Sequence, residues 1–258
     1  MIDGHIQQKL REQHNPDGSA LRTLQLQLLD ILSEFDAICK KYDICYWLDS
    51  GTLIGAVRHG GFIPWDDDID VCVLKKDQGR LRRVLMKELR APLRYIDEDI
   101  DRSCPRKWAR ITMPILGHAT ENKCMWMDIF FMEYGSKELF NLADKTYGKC
   151  YRRRNGLIQD GCWKRLLVLF AYPLCWLFMQ FLRGVGRCFC RRTLIFDFGG
   201  VFKSIRRTDS IFPIIRIPFE GGDFCVPKDW DSYLKEIYGN YDLPPERLRN
   251  SHGLVQVP

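Results

Sequence analysis

From residue 21 to 42 apolar side chains recur at steps of three and four (Leu21, Leu24, Leu28, Ile31, Leu32, Phe35, Ile38), which predicts an amphipathic helix covering a sheet. The spacing then changes to that of extended chain. ICYWLD (44–49) and IDVCVL (69–74) are short, rich in β-branched and aromatic residues and bounded by glycine and proline, so both read as strands. Gly51, Gly55, Gly60 and Gly61 between them predict a glycine-rich loop. KDQGRLRRVLMKEL (76–89) reads as a helix; LRYID (93–97), RKWARIT (106–112) and MWMDIFFME (125–133) read as strands. After about residue 135 the pattern turns helical and basic, and a short helix at 230–238 ends at Gly239 before a proline-rich extended end. The fold class this order predicts is α/β (α+β), a mixed sheet with flanking helices. Four parts are expected: an N-terminal extension (1–20), a core (21–135), a basic and apolar helical insert (136–207) and a segment completing the core (208–258).

Composition changes this picture little. With 258 residues, 46% hydrophobic and 28% charged, the chain can bury a sizeable core. Its eleven cysteines form no C-x-x-C pair, which argues for reduced core thiols and against zinc. The start carries no basic stretch followed by an apolar run, so neither a secretory signal nor an N-terminal anchor is expected, and the bulk of the chain should stay in the cytosol.

Charge changes it more. Residues 145–207 hold 14 Lys plus Arg against Asp160 and Asp197, or +12, which leaves the rest of the chain at −6 from a total of +6. Inside that block lies LLVLFAYPLCWLFMQFL (166–182), uncharged and bounded by Lys164, Arg165, Arg183, Arg187, Arg191 and Arg192. It is at the short limit for a membrane span and Pro173 should kink it, so a shallow or re-entrant contact with an anionic membrane is expected at least as readily as a span, with a buried core helix as the alternative. Nucleic acid is not expected as a partner, because the charges flank an apolar block and are not interleaved with polar and stacking residues.

The candidate chemistry lies at 46–73. Ser50-Gly51-Thr52 follows a strand, then Asp66, Asp67, Asp68 and Asp70 crowd into five residues, a concentration of like charge that calls for a cation. Along an extended strand Asp68 and Asp70 share one face, about 7 Å apart, and can hold a divalent ion. Asp66 and Asp67 read as loop residues supporting that pair or solvated. Asp128, alone in an apolar strand, is the third candidate, with a local ion pair to an arginine as the other reading. Gly51 lets backbone approach a phosphate, and Ser50 and Thr52 offer donors to it. Arg58 suits a phosphate oxygen; His59 reads as a loop residue hydrogen-bonded to the acidic cluster, and Phe62, Pro64 and Trp65 as packing of the loop. LIFDFGGVF (194–202) mimics a phosphatase nucleophile strand, but only 56 residues follow it, without the acidic pair that fold needs, and the kinase reading of DFG fails for want of its partner motifs.

GTLIGAVRHGGFIPWDDDIDV, KWARI, MDIFFME and FEGGDFCVPKDWDSYLKEIYGNYDLPPERLRNSHG resemble the LicD family of phosphocholine transferases, related to fukutin and fukutin-related protein. The resemblance runs from about Leu21 to His252 apart from the basic insert. It implies a nucleotidyltransferase-like fold and transfer of a phospho-alcohol from a CDP-alcohol, typically CDP-choline, to a sugar hydroxyl. Gly51, Thr52, Asp68, Asp70 and Asp128 fall on the family's motif positions, as do Arg110, Arg249 and His252; Thr112 stands where a second basic residue is usual. The expectation is a Mg²⁺ (or Mn²⁺) enzyme, with Asp68, Asp70 and Asp128 as metal ligands and catalytic residues and Ser50, Gly51, Thr52, Arg58 and Arg110 as substrate contacts. Its acceptor would be a cell-surface glycan, a teichoic-acid or lipopolysaccharide precursor that could be lipid-linked, at the inner face of the cell membrane. Transfer of a nucleotide from an NTP, or a non-catalytic membrane-surface scaffold, are the rival readings.

Overall fold

The structure, a computed structural model, describes residues 4–101, 107–115, 124–154, 162–198, 200 and 202–241. Helix α1 (Gly4–His14) leads into α2 (Ala20–Lys41), whose start is set by Ser19: its hydroxyl accepts the Arg22 N–H at 3.1 Å, satisfying one of the helix's orphan donors. The apolar face of α2 predicted from periodicity is buried, with Leu28, Ile31, Leu32 and Phe35 fully inside the core. There follow β1 (Tyr46–Leu48), α3 (Ser50–Ile54), β2 (Ile69–Leu74), α4 (Gln78–Glu88), β3 (Arg94–Ile96), β4 (Ala109–Pro114) and β5 (Cys124–Tyr134). Next come α5 (Lys137–Ala143), α6 (Lys149–Arg154), the long α7 (Cys162–Phe189), β6 (Thr193–Phe196) and β7 (Ile205–Arg207). The chain continues through α8 (Thr208–Ile211), the hairpin β8 (Ile215–Phe219) and β9 (Gly222–Val226), and α9 (Trp230–Tyr238).

Among the described residues the main sheet runs β1-β2-β5-β4-β3, with β6 and β7 added beside β5. It is mixed, as expected: β2 and β5 are parallel, and the other pairs are antiparallel. Met132 pairs with Leu74 on one edge and Phe196 on the other, so β6 takes up the edge of β5 that β4 leaves free. Strands β6 and β7 therefore extend the sheet. The helices α5 to α7, the turn joining α5 to α6, and β6 with the residues just after it share a smaller core of their own, built from Phe140, Tyr147, Tyr151, Met179, Leu182, Ile195 and Phe198. The C-terminal segment packs on the main core through Ile211, Phe219, Phe224, Val226, Tyr233 and Leu234.

One local expectation is corrected. The glycine-rich loop after β1 is helical, as α3 runs straight into a single wide turn, Gly55–His59, closed by Gly60 at φ +66°. Its glycines are there for close packing: a Cβ on Gly61 would lie 2.3 Å from the Glu220 carboxylate, which is itself held by Arg22 at 2.6 Å. Pro173 lies inside α7, which is a single helix from 162 to 189. Among the described residues no helix is long and apolar enough to cross a membrane.

Candidate active site

The site forms where β1 ends and β2 begins. Asp49 leaves β1, its N–H donating to the Asp70 carbonyl at 3.0 Å, and α3 starts at once with Ser50 in the left-handed region at φ 49°. A serine there is strained, so the surrounding contacts must hold it. Thr52, one turn on, accepts the Asp70 N–H on its hydroxyl at 2.9 Å, which ties α3 to the first turns of β2. Asp70 therefore has its backbone fixed from both sides.

The aspartates converge on this junction. Asp66, Asp67 and Asp68 are all buried, and each offers a carboxylate oxygen within 4.8 Å of the others. The solvated reading of Asp66 and Asp67 is therefore wrong: Gln25, reaching from α2, donates its amide to the carbonyls of Ile63 (3.1 Å) and Asp66 (2.9 Å) and holds the segment down. Gly51 makes room for Asp66, since a Cβ on it would lie 2.8 Å from Asp66 Oδ2. Asp70 and Asp128 are direct partners in the parallel β2–β5 register, and Arg110 is the partner of Asp128 across β4–β5, so the three stand in one row across the sheet.

Within that row the charges are unevenly matched. Asp128 accepts from Arg110 Nε at 2.6 Å, Arg110 Nη2 at 3.2 Å and Trp108 Nε1 at 2.9 Å, the local ion pair that the other reading of this residue anticipated. Arg110 also lies over the Trp126 ring, 4.3 Å from its centre. Asp70 has no side-chain donor among the described residues. Burial first, then the charges of Asp68, Asp128, Asp49 and Asp66, push its carboxyl well above the usual range. A cation beside it would favour the ionised form. The donor set is all oxygen, the chemistry that Mg²⁺ or Mn²⁺ prefers, so the residues present fit a hard divalent ion.

Other sequence-predicted residues are placed as follows. Arg58 is buried and donates to the Tyr241 carbonyl at 2.8 Å, and its Nε donates to His59 Nε2 at 2.9 Å. His59 thus faces Arg58 and Gln7 rather than the acidic cluster; burial and the Arg58 charge push its pKa down to about 3, so it is neutral. Trp65 packs edge-on against the His14 and His59 rings, and Phe62 against Phe219. Asp197 of the phosphatase-like stretch is bound by Lys75 and Arg183. Arg249 and His252 lie outside the described residues.

Comparison with known proteins decides the family. Residues 43–149 match the model of the LicD/FKTN/FKRP nucleotidyltransferase domain. Over 260 aligned positions, 92% of this chain and 97% of the relative, the protein is 30% identical to a lipopolysaccharide cholinephosphotransferase LicD of Haemophilus influenzae. The chain belongs to the LicD family. Over 39 positions, 15% of this chain and 8% of the other, it is 46% identical to the human ribitol 5-phosphate transferase FKRP. An uncharacterized protein of Rickettsia prowazekii is 42% identical over 60 residues, 23% of each chain. The protein is thus an enzyme of the LicD phosphotransferase type.

In this LicD-family chain the structure adds residues that local reading missed. Asp49 is fully buried and accepts from Tyr233 of α9 at 2.7 Å and from the Cys72 thiol at 3.3 Å. Tyr238, at the end of α9, is 45% exposed, reaches Ser50 and lies close enough to Asp49 for that charge to oppose loss of its phenol proton. Arg206 of β7 is buried with its guanidinium 5.1 Å from the Tyr233 ring. Asp49 could have been noticed as a carboxylate directly preceding Ser-Gly-Thr; the tyrosines carried no such signal.

Proposed function

We propose that this LicD-family enzyme transfers phosphocholine from CDP-choline to a sugar hydroxyl of a glycan, a lipopolysaccharide-type or teichoic-acid precursor, with Mg²⁺ or Mn²⁺ as cofactor. The observation that carries the reading is the cluster of Asp66, Asp67 and Asp68 beside the start of α3, with Asp70 next to it and without a side-chain donor among the described residues. A diphosphate brought to Ser50, Gly51 and Thr52 would meet these carboxylates and be repelled unless a cation lay between. Asp68 and Asp70, with Asp66 and Asp67 beside them, would hold that ion; bound, it would neutralise the donor's diphosphate and stabilise departing CMP.

The chain's own groups account for the rest. Ser50 and Thr52 fix the junction and offer donors to phosphate oxygens. Arg110 and Trp108 lock the orientation of Asp128, which keeps acceptor capacity beyond its three hydrogen bonds and takes the proton of the attacking hydroxyl. The acceptor oxygen bonds to the choline-bearing phosphorus as the bridge to CMP breaks. The choline assignment is supported by the Haemophilus relative's name, and the placing of the enzyme at the inner membrane face by the basic character of residues 145–207.

The test is to offer CDP-choline, CDP-ribitol, CDP-glycerol and nucleoside triphosphates with Mg²⁺. Release of CMP from CDP-choline in preference to the other donors is expected. Pyrophosphate from a nucleoside triphosphate would replace the proposal with nucleotide transfer, and no turnover of any donor would return the chain to a scaffold.

A further inference from the structure

Helix α7 presents two apolar faces. Val168, Met179 and Leu182 point inward, the last two in the insert's core. On the opposite side Phe170 is 80% exposed, Leu174 69% and Phe181 65%, and Leu167 and Leu177 are also more than half exposed. The spacing 167, 170, 174, 177, 181 keeps them on one stripe at roughly 100° per residue. A stripe of large side chains this exposed is not left bare by a soluble fold without a use.

The charge around it selects the occupant. Helix α7 contains four cations and no acid. About 80° round the helix from Leu177 stands Arg187, which with Arg191 and Lys76 borders a surface cavity of about 420 Å³ at the ends of β2 and β5. The two other charged side chains there are committed elsewhere: Lys75 binds Asp197, and Glu133 binds Arg183 at 2.8 Å. Lys76, Arg187 and Arg191 have no carboxylate partner among the described residues. A second copy of the chain packed on this stripe about a two-fold axis would set these cations near their own equivalents. An anionic surface with an apolar interior satisfies both the stripe and the cavity.

We infer that the outer face of α7 lies in the plane of an anionic phospholipid bilayer, its apolar stripe in the headgroup and acyl boundary and the Lys76–Arg187–Arg191 cavity on lipid phosphate. The helix is placed on the membrane and not across it because its inner face is packed in the insert's core through Met179 and Leu182. This deepens the proposed function by placing the enzyme where lipid-linked acceptors are found, but membrane binding needs no turnover and is tested apart from it.

The experiment is co-sedimentation of the full chain with phosphatidylcholine vesicles, with and without about a third phosphatidylglycerol, for the wild type, Phe170→Gln/Leu174→Gln and Arg187→Glu/Arg191→Glu. All four positions are exposed, and thermal melts and CMP release with a soluble sugar acceptor verify that the variants fold. Expected are strong binding of wild type to anionic vesicles only, weakened but not abolished by high salt, and a loss of about tenfold or more in each variant. Wild type that stays in the supernatant, or that binds both vesicle types equally, would overturn the inference. So would sedimentation as a dimer that Phe170→Gln/Leu174→Gln converts to monomer with vesicle binding unchanged. Loss of CMP release with vesicle binding intact would instead strike the proposed chemistry and leave the membrane face standing.

Discussion

Gly51 shows how tightly the site is drawn at the scale of single residues. Gly51→Ala would drive a methyl group into the Asp66 carboxylate, and activity is expected to fall by about tenfold or more while the melting temperature changes little, read from CMP release beside a thermal melt. Asp68→Asn and Asp70→Asn should each leave a folded protein about a hundredfold or more less active, because each would remove a charged ligand of the proposed ion. Asp66→Asn should fall with them now that its carboxylate is seen in the same cluster, where sequence alone placed it in a supporting loop. The alternation Asp68-Ile69-Asp70-Val71 singled out Asp68 and Asp70 in the sequence, although β2 begins only at Ile69 and the carboxylates that lie closest together are those of Asp66, Asp67 and Asp68. What alternation could not show was burial of Asp66 and Asp67, which depends on Gln25 of a helix about 40 residues earlier. The Asp49–Tyr233 bond, spanning 184 residues, was equally beyond local reading.

At the scale of elements, α9 is both packing and site. Tyr233→Phe would leave Asp49 fully buried with one donor fewer and should destabilise the fold by about 1–3 kcal/mol in denaturant unfolding. The junction of β5, β6 and α7 has its own pH dependence. Burial and the neighbouring Asp197 charge raise Glu133 to about 7, against Arg183 and Lys75, while Lys75 and Arg183 hold Asp197 below the usual carboxylate range despite its burial. The folded protein keeps the Glu133 proton between pH 4.5 and about 7 where the unfolded chain has lost it, so this stabilisation is present below 4.5 and disappears as pH rises through 7. Asp197 acts in the other direction, its contribution lost as pH falls below 3.8. Glu133→Gln, which mimics the protonated form, should therefore gain stability relative to wild type between pH 5 and pH 8, by roughly 1–3 kcal/mol. Equal slopes of unfolding free energy against pH in the two proteins would contradict this. Strands β1 to β5 and the boundaries of α2, α4 and α9 followed from periodicity and breakers; β6 to β9 did not, lying in or after a stretch read as helical and basic, and neither did α3, because four glycines signal a loop and only the close approaches to Asp66 and Glu220 reveal why a helical turn needs them.

Across the whole molecule, the mixed sheet carries Asp70, Asp128 and Arg110 in one row, while β6 and β7 weld the basic insert to its edge. Met179 and Leu182 anchor α7 inward, and Arg183 binds Glu133 and Asp197, so removing the helix would unmake part of the body, and outward-facing substitutions are the sharper probe. The apolar run at 166–182 was visible in the sequence, but its division into an inner and an outer face depends on what α5 and α6 bring against it. The central claim is that this LicD-family enzyme moves phosphocholine as a unit from CDP-choline to a glycan hydroxyl at the Asp66–Asp70 cluster. Its most direct test is to incubate the enzyme with CDP-choline, Mg²⁺ and a lipopolysaccharide-type glycan, counting CMP released and phosphocholine gained by the glycan. The account predicts one for one, with both abolished by chelation and by Asp70→Asn. CMP released without phosphocholine on the glycan, or equal yields from the Asp70→Asn protein, would contradict it.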